Sequence, residues 1–145
     1  MKRNVSIRNA FLMAASVCLM AVFFAGCEKD DPRDVYVGTF NVNEEIRYAN
    51  GTLEFDNYNI IITKSATNKN DIVINNIVDA GAGISVIASV SGDSFNIPQQ
   101  SVTIDYVGVG ISGSGRREGS TLRFSVFANL TGIGQVNFTC VAVRM

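Results

Sequence analysis

The stretch LRFSVFANL, residues 122–130, alternates apolar with polar side chains: Leu122, Phe124, Val126 and Ala128 share one parity. Successive side chains of a β-strand point to opposite faces of a sheet, whereas the stripe of a helix repeats about every 3.6 residues. The alternation therefore predicts a strand that buries one face and exposes the other.

The same period of two governs the chain on both sides of this stretch. Two short apolar runs, residues 72–74 and 95–97, bring the expected number of strands to about eight, and no stretch beyond residue 34 keeps a helical period. The sequence therefore predicts an all-β domain over residues 35–145. The other alternating sets are Tyr36, Phe40 and Val42; Tyr58, Ile60 and Ile62; Ile84, Val86, Ala88 and Val90; Val102, Ile104 and Tyr106; and Val136, Phe138, Cys140 and Ala142.

Turn-forming residues separate these runs. Each turn is short enough to join antiparallel neighbours. Leu53 and Phe55 have the opposite parity to Tyr58, which predicts a β-bulge or a bend near residues 56 and 57. We expect Pro98 to end a strand at a sheet edge. The turn segments are Asn50-Gly51 and residues 68–71, 80–83, 91–93, 113–119 and 131–134.

An open meander of this length would leave two strand edges unpaired and one apolar face uncovered. Closure of the sheet removes both costs. We therefore expect a single antiparallel meander that closes into a barrel, with a two-sheet β-sandwich as the alternative.

The N-terminus has the pattern of a secretory signal. Lys2, Arg3 and Arg8 precede an apolar run over residues 10–25, which is shorter than the roughly 20 residues that span a bilayer. Phe24-Ala25-Gly26 then leads into Cys27, and this resembles a bacterial lipobox. The resemblance implies cleavage after residue 26 and a diacylglycerol on the Cys27 thiol. An ordinary signal peptide followed by an unmodified cysteine is the alternative.

Residues 27–34 are predicted to form an acylated, acidic tether. Lys29, Asp30 and Asp31 resemble the export signal of surface lipoproteins from Bacteroidota, in which a lysine and acids follow the acylated cysteine. The resemblance implies an outer-membrane protein displayed at the cell surface and held by its lipid. If the tract is only a polar spacer, the protein stays on the periplasmic leaflet.

Charge and cysteine content exclude two classes of protein. Three of the 12 basic residues precede Cys27, which leaves 9 against 13 acidic ones and a net charge near −4. Without a basic stripe, nucleic acid is not an expected partner. Beyond Cys27 only Cys140 remains, so a disulfide framework is impossible and stability must come from an apolar core.

The chain contains no histidine, which removes the commonest general base and metal ligand. Paired carboxylates could still act in catalysis, but Glu44 and Glu45 should point to opposite faces of a strand. Glu54 and Asp56 should share its solvent face. Cys140 lies on an apolar parity and is predicted to be a buried, unreactive thiol. We therefore expect a non-enzymatic protein without metal or cofactor.

A glycine-rich motif, GVGISG at residues 108–113, has the spacing of a dinucleotide fingerprint. That fingerprint needs a helix after its last glycine to receive the phosphates. Here another glycine-rich turn and a strand are predicted instead. The glycines are expected to allow strong coiling of the sheet or a flexible hairpin.

Four short motifs resemble small Bacteroidota lipoproteins grouped as lipocalin-like or calycin-like: Val37-Gly38-Thr39-Phe40, Ile62-Thr63-Lys64-Ser65, IPQQ at residues 97–100, and the hairpin around residues 113–115. The resemblance implies an eight-stranded barrel that takes a small apolar or amphipathic ligand, or a partner protein, at one open end. The candidate binding residues are Tyr36, Phe40, Tyr58, Tyr106 and Phe124.

The size of inward side chains bears on whether such a barrel is hollow. Tyr58, Phe124 and Phe138 would fill it, whereas small residues at 38, 88, 128 and 142 would leave room, so a cavity at one end is expected. The leading hypothesis is a lipid-anchored binding protein. The alternative is a structural or accessory subunit, or a glycan-binding module, of an outer-membrane uptake or adhesion complex.

Overall fold

A computed structural model describes residues 30–130, 132 and 134–145. Asp31–Met145 form one compact unit. The predicted signal peptide, Cys27 and Lys29 lie outside the described residues.

Eight antiparallel strands form the domain, and each pairs with the next along the chain. The last strand also pairs with the first, so Val42 lies opposite Ala142 and the sheet closes into a barrel. The predicted all-β meander is confirmed, and the β-sandwich alternative is wrong. The strands are β1 Gly38–Tyr48, β2 Leu53–Lys64, β3 Asp71–Asn75, β4 Ser85–Ser91, β5 Ser94–Ile104, β6 Val107–Glu118, β7 Thr121–Leu130 and β8 Gly134–Arg144.

Alternate side chains of each strand fill the barrel, as the period of two requires. In β7 the inward residues Leu122, Phe124, Val126 and Ala128 are all buried. Isoleucines and valines on the other strands complete a single apolar cluster. Burial of this surface is the main driving force for folding, since the described part of the chain holds a free thiol at Cys140 and no disulfide.

The number of strands agrees with the sequence prediction, but the bounds of two strands, β5 and β6, do not. Residues 95–97 and 102–104 lie in one strand, β5, and the predicted turn at residues 113–119 is mostly the second half of β6. Gly113 and Gly115 explain the difference. A Cβ on Gly113 would lie 2.4 Å from the Ser125 carbonyl oxygen, and one on Gly115 would lie 2.5 Å from the Phe95 ring. These glycines therefore make room for neighbouring strands.

The predicted bulge near residues 56 and 57 is wrong, because β1 and β2 pair without a shift of register. Leu53 and Phe55 simply lie on the outer face and are exposed. The irregularity falls in β5 instead, between Ile97 and Gln100, so Pro98 occupies a bulge and does not end the strand. At that point the Gln100 side chain bonds the amide nitrogen and the oxygen of Ile87 at 3.0 and 2.8 Å, in place of a backbone partner.

The two ends of the barrel are built differently. At one end, which we call the plugged end, residues 31–36 lie against the loops at 65–70 and 92–93. At the other, the open end, lie the turns at residues 49–52, 76–84 and 105–106. The candidate site therefore depends on which side chains each end presents.

Candidate functional site

The plugged end is held by Arg33, which is buried. Its guanidinium donates to the carbonyl oxygens of Ser65 and Asn68 at 3.2 and 3.0 Å, and to the Asp31 carboxylate at 2.7 Å. Lys64 Nζ lies 3.0 Å from the same carboxylate. Hydrogen bonds from Arg33 hold the pKa of Asp31 well below its usual value. The folded unit thus begins at Asp31, four residues before the boundary at Val35 that the sequence predicts.

Aromatic side chains pack beneath this plug. Tyr36 is fully buried, its hydroxyl donates to the Gly92 carbonyl oxygen at 2.9 Å, and its ring meets Phe95 edge-on at 5.8 Å. Phe95 in turn lies 6.0 Å from Phe124. The Arg144 guanidinium covers the Phe40 ring at 5.0 Å. Three predicted ligand residues, Tyr36, Phe40 and Phe124, therefore belong to the closed, well-packed end.

The interior toward the open end contains a buried carboxyl group. Glu44 is 3% exposed, and its Oε2 accepts hydrogen bonds from the Tyr58 hydroxyl at 2.6 Å and the Cys140 thiol at 3.2 Å. Its other oxygen, Oε1, is buried without a hydrogen-bond partner among the described residues. A buried acceptor left in this state costs about 1–3 kcal/mol. Such a group is expected to have a purpose other than stability.

The electrostatics of Glu44 follow from this position. Burial raises its pKa, and the carboxylates of Asp56 and Asp79 raise it further, against the two hydrogen bonds that lower it. Asp56 is the cross-strand neighbour of Glu44 in the β1–β2 pair. Like charges placed directly opposite each other on a sheet are destabilising. Burial likewise raises the pKa of the Cys140 thiol, which keeps it protonated and unreactive.

Further acids surround this carboxyl at the open end. Glu54 and Asp56 share the parity of Tyr58 but are exposed, and Glu54 accepts a hydrogen bond from the Tyr48 hydroxyl at 3.0 Å. Asp79 lies in the short 3₁₀ turn Ile77–Asp79. We call Glu44, Glu54, Asp56 and Asp79 the acidic mouth. Glu54 and Asp56 are solvent-exposed, as expected, but they have the inward parity of β2 and so lie at the open end of the barrel.

The loop that carries Asp79 is strained. Val78 and Asp79 have φ angles of 51° and 49°, in the left-handed region that β-branched residues rarely adopt. Asn76 holds the loop in place: its Nδ2 donates to the Asn59 carbonyl oxygen at 2.9 Å, and its Oδ1 accepts from the Gly81 amide at 2.7 Å. The loop therefore keeps Asp79 at the open end, where its charge contributes to the raised pKa of Glu44, at a cost in backbone energy.

The remaining predicted ligand residues are not brought together. Tyr58 contacts Glu44 inside the barrel and is 8% exposed. Tyr106 is fully exposed in the two-residue turn between β5 and β6, with a φ of 67°. It does not continue the strand that carries Val102 and Ile104, because the chain reverses immediately after Ile104. Of the residues predicted to signal export, Asp30 is exposed and Asp31 forms an ion pair with Arg33 in the plug.

Hollows also occur on the outer wall, lined mainly by outward-facing residues of β5 to β8. The largest of four described hollows measures 430 Å³ and lies over Gly115, between Arg116 and Thr139. The other three, of 280, 260 and 320 Å³, share Phe127, which is 41% exposed and surrounded by serine, asparagine and glutamine side chains. These shallow sites offer an aromatic surface beside uncharged hydrogen-bonding groups.

In the described part of the chain, no three Asp, Glu, Cys or His side chains are grouped so that they could hold a metal ion. In the same residues there is no helix long and apolar enough to cross a membrane.

Sequence reasoning considered Glu44 only as half of a catalytic pair and did not propose it as a binding group. A signal was available: Phe40, Val42, Glu44 and Ile46 have one parity, which places the carboxyl on the inward face. The unpaired oxygen and the neighbouring Asp79 could be found only from the folded chain.

Comparison with known proteins gives no further guide to this site. No protein-family model matches the chain. No curated protein matches it at a significant level. The function therefore has to be inferred from the geometry of the barrel itself.

Proposed function

We propose that this protein is a non-enzymatic binding protein, anchored to the outer membrane through a lipid on Cys27, that takes a small amphipathic ligand at the open end of its barrel. The single observation that carries the proposal is the buried Glu44 carboxyl, whose Oε1 lacks a partner within the described residues. At this depth a ligand could both donate to the carboxyl and bury an apolar body against the barrel lining.

The contrast between the ends supports this assignment. The plugged end is sealed by Arg33 and Tyr36, whose polar groups are bonded to nearby loops. Toward the open end Tyr58 and Phe138 are each 8% exposed, more than any other buried apolar residue except Val102, and they form the floor. Ile46 and Tyr48 are half-buried on the same face of β1, nearer the rim. A ligand would displace Tyr48 and lie against Ile46 to reach the floor.

The anchor is supported by the lipobox-like sequence around Cys27. Because the thiol alone can accept the diacylglycerol, Cys27→Ala is expected to abolish labelling by radioactive palmitate and leave an uncleaved or soluble protein. Unchanged labelling would exclude the lipoprotein assignment.

Surface display is tested by the double variant Lys29→Ala and Asp30→Ala, which should leave acylation intact but protect the protein from protease added to intact cells. Asp31 is spared because it stabilises the fold.

The binding function is tested on the compact unit Asp31–Met145, which contains all eight strands and their core. This chain is incubated with an extract of its own cells, repurified and examined by native mass spectrometry. A retained small molecule should raise the melting temperature. At a ligand concentration a hundredfold above Kd the stabilisation should be about 3 kcal/mol.

Ala128→Phe provides a blocking variant, because Ala128 is buried and lies one inward position from Leu130 at the open end of β7. The larger side chain should prevent binding while the circular dichroism spectrum stays that of a β-barrel. Ala88→Phe, on β4, tests the deeper interior in the same way. If no molecule is retained and both variants lose about 1–3 kcal/mol from overpacking, the interior is full and the binding proposal fails.

A second candidate, a glycan-binding or accessory subunit of an outer-membrane complex, is favoured by Phe127. This exposed ring borders three of the hollows on the outer wall. Aromatic faces beside amide and hydroxyl groups suit stacking on sugars. Phe127→Ala should then abolish retention on immobilised polysaccharide, whereas Phe55→Ala, a control on β2 whose ring is even more exposed, should not. Equal retention of both variants would remove this candidate.

A further inference from the structure

The inference begins with what Glu44 lacks. Tyr58 and Cys140 both donate to Oε2, so one oxygen of the carboxyl is satisfied twice and the other is satisfied by none of the described groups. An ionised carboxylate needs donors on both oxygens when it is buried. A cation beside a carboxyl favours its ionised form, so an ammonium group would both ionise Glu44 and supply the donor that Oε1 lacks.

The charges around this position have one sign. Asp56 lies directly across from Glu44 on β2, and Asp79 is close enough to raise its pKa. Among the described basic residues only Arg47 lies at the open end. It belongs to the outward parity of β1 and pairs with Glu45 at 2.9 Å. The acidic mouth is thus not neutralised by the protein, and it would attract a cation.

The floor around the carboxyl is apolar. Phe138 lies opposite Ile46 in the β1–β8 pair, and both pack against the core. The described residues do not offer the three ligands that would hold a metal ion. A group with one charged head and a hydrocarbon body fits this combination better than a bare ion does, because the body can replace water against Phe138 and Ile46.

We propose that the open end binds a single-chain organic amine, with its ammonium group donating to Glu44 Oε1 and its hydrocarbon chain lying against the apolar floor. This inference rests on the proposed binding function and defines its ligand class. Asp56 and Asp79 complete the recognition by stabilising the positive charge. The Tyr48 hydroxyl, bonded to Glu54, holds the half-buried Tyr48 side chain over the floor until a ligand displaces it.

The test compares three molecules that differ only in their head group: octylammonium, octanol and octanoate. Each is titrated into Asp31–Met145 at pH 8 by calorimetry, with calcium chloride as a fourth titrant. Octylammonium is expected to bind at least tenfold more tightly than octanol, and octanoate is expected not to bind. Glu44→Gln should weaken octylammonium at least tenfold while leaving octanol unchanged. Glu45→Gln, its outward neighbour, is the matched control and should bind like the wild type.

A second variant covers the case in which Glu44→Gln disturbs the fold. Asp56→Asn with Asp79→Asn changes only exposed carboxylates and is expected to weaken octylammonium severalfold. If octanol or octanoate binds as tightly as the amine, or if these variants leave amine binding unchanged, the ligand class is wrong while a binding function stands. Binding of calcium that depends on Glu44 would also overturn it. If none of the four titrants binds and the cell extract also yields no ligand, the proposed function fails together with this inference.

Discussion

The plugged end and the open end belong to the same closed sheet, yet they treat their polar groups in opposite ways. Arg33 at the plugged end is buried and donates to three carbonyl oxygens and a carboxylate. Glu44 toward the open end is buried with one oxygen unpaired in the described structure. The first arrangement contributes to stability, and the second reduces it.

Backbone conformation shows the same contrast. All five non-glycine residues with positive φ in the described chain lie at the open end, at positions 76, 78, 79, 105 and 106. Strain of this kind persists where the surrounding structure enforces it, and it concentrates at functional sites. The comparison suggests that the plugged end holds the barrel together so that the open end can keep an energetically costly arrangement.

The largest expected effect is at the plugged end. Tyr36→Ala removes a fully buried ring that contacts Phe95 and should destabilise the domain by about 3–5 kcal/mol in urea unfolding. Tyr36→Phe keeps the ring, loses only the hydrogen bond to Gly92 and should cost about 1 kcal/mol. Tyr106→Ala, at the exposed turn of the open end, should change stability little. Equal losses at positions 36 and 106 would contradict the division into two ends.

The next comparison uses two glycines of one strand, β6. A Cβ on Gly115, beside the aromatic cluster, would clash with the Phe95 ring and with the Arg123 carbonyl oxygen at 2.8 Å. Gly115→Ala should therefore cost about 1–3 kcal/mol. A Cβ on Gly108, near the open end, would approach nothing closer than Ser101 Oγ at 4.0 Å. Gly108→Ala should stay within about 0.5 kcal/mol of the wild type in the same unfolding measurement.

The two ends should contribute to the pH dependence of stability with opposite signs. The pKa of Glu44 is raised, so the folded protein loses stability as pH rises from the unfolded pKa through the folded one. Glu44→Gln should remove this loss, so its stability should fall less than that of the wild type as the pH rises from 4 to 8. The pKa of Asp31 is lowered by Arg33 and Lys64, so its contribution is present above the unfolded pKa and disappears as pH falls.

The matched variant is Asp31→Asn, which should be less stable than the wild type at pH 7 and equal to it at low pH. Thermal melting of both variants and the wild type across this range provides the measurement. A stability of Glu44→Gln that depends on pH as steeply as the wild type would show that Glu44 does not titrate with the predicted sign.

The smallest expected effect concerns the turn at residues 105–106. Tyr106 adopts a φ of 67° without any burial to compensate for it. Tyr106→Gly should relieve this strain and stabilise the domain by about 1 kcal/mol. Tyr106→Ala retains the Cβ and should not show the gain, so the pair separates backbone strain from loss of the ring. A gain in both variants would mean that the exposed ring itself is unfavourable.

The period of two was enough to predict most of the fold. It identified the inward face of β7, the antiparallel order and the closed sheet, because alternation is a local property that one buried face imposes on every strand. It did not predict the course of β5 and β6. Gly113 and Gly115 read as a turn in sequence, since nothing local shows that Phe95 and Phe124 require their empty space.

The candidate site, like the fold, was only partly predictable from the sequence. The sequence alone placed Glu44 on the parity of Phe40 and Val42, and placed Tyr58 on the parity of Ile60, so both could be assigned to an inward face. The aromatic residues predicted to bind a ligand were chosen by type, and most of them proved to be packing residues beneath the plug. Residue type does not reveal which end of a barrel a side chain will occupy.

By itself, the sequence determined the all-β meander, its closure and the buried faces of most strands, because these depend on the alternation of neighbouring residues and on composition. Only the tertiary structure decided that Tyr58 and Cys140 both donate to one oxygen of Glu44, that Asp79 lies at the same end of the barrel as Glu44, and that Arg33 closes the opposite end. These contacts join residues up to 96 positions apart. Closure of the sheet brings them together, and no local pattern encodes the register at which it closes.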